Sequence, residues 1–284
     1  MKHKKPVFFF VIVICIFFVS RYIISLLSPD DKMGSVAEVD MPSEASENVQ
    51  AFSIYSYSDE GGNQWQVEGK SADILATTIH LFDINGKMFG DKANVEITAD
   101  RGVFEKDTNN VQLESNVVVI TDEGTRLVTD KMTWDAQAEL IDNNEHVLIE
   151  RDDMVINGFG ASVKPDMKTA RLKKNITVTV NDPEAVITCD GPLDVDYSNN
   201  ISYFNNKVLV DDGKVQIYAD KAKALFDPKE RTLIEVVSEG NVKIVKGENI
   251  THAEKMTYLP KEGRVILTGR PKIVIVPTED ISGK

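Results

Sequence analysis

From about Phe52 onward, apolar and polar residues alternate in short runs of four to eight, and one run recurs. Asn116-Val117-Val118-Val119 is followed by His146-Val147-Leu148-Ile149, Asn175-Ile176-Thr177-Val178, Lys207-Val208-Leu209-Val210, Asn241-Val242-Lys243-Ile244 and Lys272-Ile273-Val274-Ile275. The second and fourth positions are Val or Ile in all six copies, and successive copies lie 30, 29, 32, 34 and 31 residues apart. Side chains two apart on a strand point to one face. The chain therefore repeats one apolar strand face, and a fixed period of this size predicts stacked repeats.

Turn chemistry separates the runs. Asp59-Glu60-Gly61-Gly62-Asn63, Asn85-Gly86, Asp107-Thr108-Asn109-Asn110, Asp142-Asn143-Asn144, Ser198-Asn199-Asn200 and Asp211-Asp212-Gly213 supply residues that tolerate positive φ or bond their own backbone. A second landmark lies upstream of each Val/Ile pair: a small or polar residue, an acid, then an aromatic. Ala99-Asp100 with Phe104, Thr129-Asp130 with Trp134, Ala219-Asp220 with Phe226 and Ala253-Glu254 with Tyr258 fit it; Cys189-Asp190 with Tyr197 is looser. Residues 156–175 carry Gly158 and Gly160 instead of the acid. The unit reads strand, corner, strand, turn, Val/Ile strand. This pattern predicts an all-β sandwich, barrel or solenoid, with no helix beyond two turns. Trp65-Gln66-Val67 and Ile79-His80-Leu81 read as divergent opening strands, since terminal repeats depart from consensus.

The N-terminus follows other rules. Val7 to Leu27 is a 21-residue largely apolar run whose one charge is Arg21, after Lys2, Lys4 and Lys5. That length suits one membrane-spanning helix, and the preceding lysines place the N-terminus in the cytoplasm. A cleaved signal peptide is the competing reading, although Ser25-Leu26-Leu27-Ser28 makes a poor cleavage site. Residues 29–51 hold Pro29, Pro42, three Ser and six acids against Lys32 alone, a composition that cannot bury enough to order itself.

Charge narrows the partners. The 284 residues carry a formal charge of −13, and the basic residues of the first 27 make the remainder more acidic still. Such a surface repels phosphate backbones, which excludes nucleic acid as the expected partner. Cys15 lies in the apolar run and Cys189 in a strand, so no intramolecular disulfide is expected. His3, His80, His146 and His252 have no companions at metal-ligand spacing, no cofactor is expected, and no nucleophile or phosphate-loop motif occurs. The Asp/Asn clusters match no calcium-loop spacing. The recurring acid reads as a corner device accepting backbone N–H groups, not as a catalytic carboxylate.

The repeated Val/Ile face has two readings. It fills a dry core, as alternating apolar strands usually do. Or it lines a trough of uniform medium-sized side chains, which suits acyl chains. Periodicity leaves both open.

The order of the motifs resembles a known family. Basic tip, single span and linker are followed by Trp65-Gln66-Val67-Glu68-Gly69, Ala99-Asp100-Arg101-Gly102-Val103-Phe104, Val111-Gln112-Leu113-Glu114-Ser115-Asn116-Val117 and Gly124-Thr125-Arg126-Leu127-Val128-Thr129-Asp130 with Trp134-Asp135. Together they are similar to the LptC family of lipopolysaccharide export. The later copies, from Ala219-Asp220 to Glu239-Gly240-Asn241-Val242-Lys243-Ile244, resemble the LptA/OstA periplasmic repeat. Typical LptC members end near where this chain reaches residue 180, so the last hundred residues are an addition.

The resemblance implies a twisted, V-shaped β-jellyroll behind one transmembrane helix, and no enzyme. Residues 1–28 are expected to be the tip and anchor, 29–51 the acidic linker, 52–182 the LptC-like jellyroll, 183–276 the LptA/OstA-like repeats and 277–284 a tail. The implied protein sits in the inner membrane with a periplasmic C-terminal domain. It accepts the acyl chains of lipopolysaccharide or a related glycolipid from an inner-membrane ABC transporter and passes them to an LptA-like jellyroll. Its groove residues are expected to be Val117, Val119, Val147, Ile149, Ile176, Val178, Val208, Val210, Val242, Ile244, Ile273 and Ile275. The alternative is a tethered β-stack that positions a partner without binding lipid.

Overall fold

The computed structural model describes residues 47–56, 64–89, 94–122, 124–152, 154–164, 167–181, 184–228 and 232–274. The expected anchor, nearly all of the linker and the tail lie outside the described residues. Among the described residues no helix is long and apolar enough to cross a membrane.

The fold is all-β and the strand pairs are antiparallel. The only helix is one 3₁₀ turn, Pro260–Glu262, among the described residues. Two compact units divide the chain, one made of 47–152 and 160–168, the other of 153–159 and 169–274 among the described residues.

The first unit is a meander of β1 (Glu47–Ser56), β2 (Gln64–Ile74), β3 (Thr78–Phe89), β4 (Asn94–Glu105), β5 (Val111–Thr121), β6 (Arg126–Asp135) and β7 (Leu140–Arg151), each paired with the next. β8 (Met154–Lys164) follows, with residues in both units. β2 and β3, read as divergent opening strands, are full-length members of the ladder.

These strands are long, and they turn a corner midway. In β4 the buried positions run Val95, Ile97, Ala99 and then Gly102, Phe104, with Asp100 and Arg101 both exposed. The inward parity switches at that dipeptide. Its neighbour β5 keeps parity, from Val111 and Leu113 to Val117 and Val119, because it carries one extra residue at a β-bulge. Ser115 and Asn116 form the bulge with φ of 64° and 53°. A bulge bends the strand that holds it. Each strand therefore has two limbs, and the inward residues of both limbs face one interior.

The second unit repeats this design in β9 (Thr169–Asn181), β10 (Glu184–Cys189), β11 (Leu193–Asp196), β12 (Ile201–Asp211), β13 (Gln216–Phe226), β14 (Leu233–Lys246), β15 (Asn249–Leu259), β16 (Arg264–Thr268) and β17 (Lys272–Val274). Here the corner splits whole strands. β10 and β11 together pair with β9 and β12, and β16 and β17 together pair with β15. Bulge residues with positive φ recur at Asn175, Asn206-Lys207, Gly240-Asn241 and Gly269-Arg270. Gly240 is glycine for a steric reason as well: a Cβ there would lie 2.4 Å from Asp220 Oδ2.

Candidate functional site

The interior of each unit is the candidate site, and strand register assembles it. In the first unit Val67, Gly86, Ile97, Val119, Leu127 and Ile149 pair in sequence across β2 to β7, so they form one inward line. Val117, Thr129 and Val147 form the next line toward the corner. On the other limb Ile79, Phe104, Val111, Trp134 and Ile141 share a line. All of these are buried; Val117 is 0% and Trp134 1% exposed.

Of the landmark aromatics, Phe104 and Trp134 are inward residues of the opposite limb, three residues past the corner dipeptide. The parity switch at the corner brings them to the interior, and a simple count of alternation misses it. Tyr197 is exposed, and Phe226 and Tyr258 are partly buried. In β13 the position matching Phe104 is Ala224, four residues after Asp220, not Phe226.

In the second unit Val178, Ile187, Val210, Ile217, Ile244, Thr251 and Ile273 form one line. Ala219, Val242 and Met256 make a buried cluster, with Ile217, Ile244, Ala253, Tyr258 and Leu267 packed against it. Met256, Tyr258 and Leu267 lie beyond the corner from Val242, so the two limbs touch across the interior.

The twelve groove residues are not equivalent. Both members of the first three pairs are buried: Val117 and Val119, Val147 and Ile149, Ile176 and Val178. Val208 and Val242 are buried while Val210 and Ile244 are partly exposed. Ile273 is 60% exposed, and Ile275 lies outside the described residues. The last copy is also offset. Ile273 and Ile244 both pair with Thr251, so Ile273 matches Ile244 and Pro271 takes the place of Val242. The bulge at Gly269-Arg270 marks the true phase, which the Lys-Ile-Val-Ile string obscured.

The recurring acids sit at the corners, but their partners differ from the expected backbone N–H groups. Asn116 Nδ2 donates to Asp100 Oδ2 at 2.7 Å, and Asn241 Nδ2 to Asp220 Oδ2 at 2.8 Å. Lys207 Nζ pairs with Asp190 Oδ2 at 2.7 Å, which raises the lysine pKa through that hydrogen bond and the charge behind it. Asp100, Asp190 and Asp220 thus tie their exposed corners to a bulge on a neighbouring strand. β7 solves the same problem without a positive-φ pair: buried Asn143 donates to Thr129 Oγ1 at 2.6 Å and to the Lys131 carbonyl.

Among the described residues no group of three or more His, Cys, Asp or Glu is placed to hold a metal. Cys189 lies buried at a corner, where burial pushes its thiol pKa up and leaves it a poor nucleophile. The chemistry on offer is apolar contact along lines of Val, Ile and Leu.

Comparison with known families agrees with this geometry. Residues 12–181 match the model of the family described as lipopolysaccharide-assembly, LptC-related. Residues 187–284 match the model of LptA and the N-terminal domain of LptD, described as a lipopolysaccharide transport protein. No match was found among the curated proteins.

Proposed function

The chain belongs to the LptC-related lipopolysaccharide-assembly family, and from that premise we propose that it is an acyl-chain conduit whose interior lines carry the lipid. Both family matches support a role in lipopolysaccharide transport. The observation that carries the finer reading is the unbroken inward line from Val67 to Ile149, composed of aliphatic side chains and one glycine.

The interior is filled by its own side chains, so lipid enters by parting the limbs. An acyl chain then replaces limb-to-limb contacts with contacts of the same kind. Each methylene removed from water contributes about 0.8 kcal/mol, whichever surface covers it. Exchange of like for like makes the line shallow in energy, so a chain slides without being trapped. Direction comes from outside, by ATP hydrolysis in an inner-membrane ABC transporter that loads the lipid. The chain is tethered to that membrane by its N-terminal apolar run and extends into the periplasm. Glycan and phosphates stay outside the interior. Onward transfer goes to an LptA-like jellyroll that pairs with an unpaired strand edge.

The test is photocrosslinking in cells. A photoreactive residue at Val119, Ile149 or Val210 captures glycolipid. The same residue at Ile120, apolar but outward and 43% exposed, does not. Equal capture at Ile120 and Val119 overturns the conduit. Absence of capture at every inward position of a folded chain supports a tethered positioning role instead.

A further inference from the structure

The outer wall of the second unit carries a feature that the conduit does not use. On β13, β14, β15 and β17 the residues alternating with Ile217, Ile244, Thr251 and Ile273 are Tyr218, Lys243, His252 and Lys272. They are directly opposite one another: Tyr218 with Lys243, Lys243 with His252, His252 with Lys272. Cross-strand partners share a face and stand about 5 Å apart at Cβ. Lys243 Nζ lies 5.4 Å from the centre of the Tyr218 ring, which fixes both on the outer side. Lys243 and Lys272 flank His252 and form no ion pair among the described residues.

The acids on its face have other partners: Asp211, opposite Gln216, accepts from Gln216 Nε2 at 2.8 Å. Asp220 is engaged by Asn241. Glu254 stands two residues from His252, against the bulge at Gly269. Arg270 adds another cation and lines a shallow depression of about 220 Å³ with His252, Asn241, Val242, Ala253 and Gly269. Tyr218 presents a ring 36% exposed, its hydroxyl donating to Gln216 Oε1 at 2.9 Å. Elsewhere lysines at the corners meet acids, as Lys255 does at Glu239 and Lys131 at Glu114.

We infer that Tyr218, Lys243, His252, Arg270 and Lys272 form a binding surface for a phosphorylated saccharide. An aromatic ring offers a flat apolar face to the C–H groups of a sugar. Adjacent ammonium groups and the guanidinium supply charge-assisted hydrogen bonds to phosphate oxygens. The ligand's phosphates supply Lys243 and Lys272 with the counter-charge that no ion pair gives them among the described residues. The inference deepens the conduit reading and rests on it for the source of the ligand, the head group of the glycolipid whose acyl chains travel inside. A free sugar phosphate shares the chemistry.

The experiment uses the full chain in detergent micelles and a phosphorylated oligosaccharide without acyl chains, followed by calorimetry. Binding is expected, and Lys243→Gln or Lys272→Gln weakens it roughly tenfold, the worth of one charge-assisted contact. Tyr218→Ala weakens it too, while Lys214→Gln, on the turn away from the row, leaves it unchanged. Removing the phosphates from the saccharide abolishes it. Inorganic phosphate binding as tightly as the oligosaccharide overturns the saccharide part. Binding to anionic vesicles with none to the oligosaccharide overturns the proposal in favour of a membrane contact. Acyl capture at Val119 is read in the same variants. Capture retained with no oligosaccharide binding sinks this inference and leaves the conduit standing; loss of capture in the unsubstituted chain sinks the conduit.

Discussion

The two units follow one design and fill it differently. Both bend their strands at an exposed corner next to a bulge, and both turn the inward residues of two limbs toward one interior. The first plugs that interior with Phe104, Trp134, Leu113 and Met132. In the second, Ala224 and Ser238 stand where the first has Phe104 and Leu113, while Met256 and Tyr258 match Met132 and Trp134, and its inward line ends at a largely exposed Ile273. Charge divides the same way. Residues 47–164 hold 22 acids and 9 bases, whereas 167–274 hold 15 acids and 17 bases. Repetition thus fixes where side chains point, and the residues chosen at those places set how full and how charged each unit is.

The largest expected effect comes from the plugs. Trp134→Ala leaves a cavity between buried neighbours and costs about 3–5 kcal/mol. Ile273→Ala removes a side chain that is 60% exposed and stays within about 0.5 kcal/mol, as surface changes do. Chemical denaturation of the full chain measures both. Similar costs for the two would erase the contrast in packing.

That contrast was only partly legible in the sequence. Strand content and the inward face of Val117/Val119 or Val242/Ile244 follow from period-2 alternation, which backbone geometry enforces. The corner was not. Alternation predicts that Ala99 and Phe104 face opposite sides, and only the switch at Asp100-Arg101 brings them together. The bulge residues were in view, as the Asn before Val117, Ile176 and Val242, but were read as the start of a strand. Positive φ at Asn has no signature beyond the residue type. The offset of the last copy was hidden because Lys272-Ile273-Val274 imitates the consensus two residues out of phase. The basic outer row was invisible for another reason: Tyr218, Lys243, His252 and Lys272 meet only through register.

A smaller effect tests the bulges. At one repeat position the first unit has Ser115, with φ 64°, and the second has Gly240, with φ 78°. Gly240→Ala sets a Cβ against the Asp220 carboxylate and forces a left-handed alanine, costing about 1–2 kcal/mol. Ser115→Gly relieves the same strain and stabilises by up to about 1 kcal/mol, less the 3.3 Å bond from Arg101. Melting of the two variants against the parent checks both signs. Destabilisation by both would mean that Ser115 is held by contacts worth more than its strain.

The smallest effect separates the units by pH. Glu239 lies at a corner of the second unit, 2.9 Å from Lys255. That hydrogen bond and charge, with Lys221 and Lys223 behind, hold its carboxyl below the ordinary 4.5. A carboxylate whose pKa is depressed in the folded state contributes stability that is fully present above its unfolded value. The contribution is lost as pH falls below 4.5 and through the folded value. Both side chains are about half exposed, so solvent screens the pair and it is worth at most about 0.5 kcal/mol. Glu239→Gln is therefore expected to match the parent once the pH is well below that range and to fall slightly behind it near neutrality. Added salt closes the gap by screening exposed charges. A deficit that persists unchanged at low pH would assign Glu239 a packing role at the corner, and the basic character of the second unit would then contribute nothing to holding that corner.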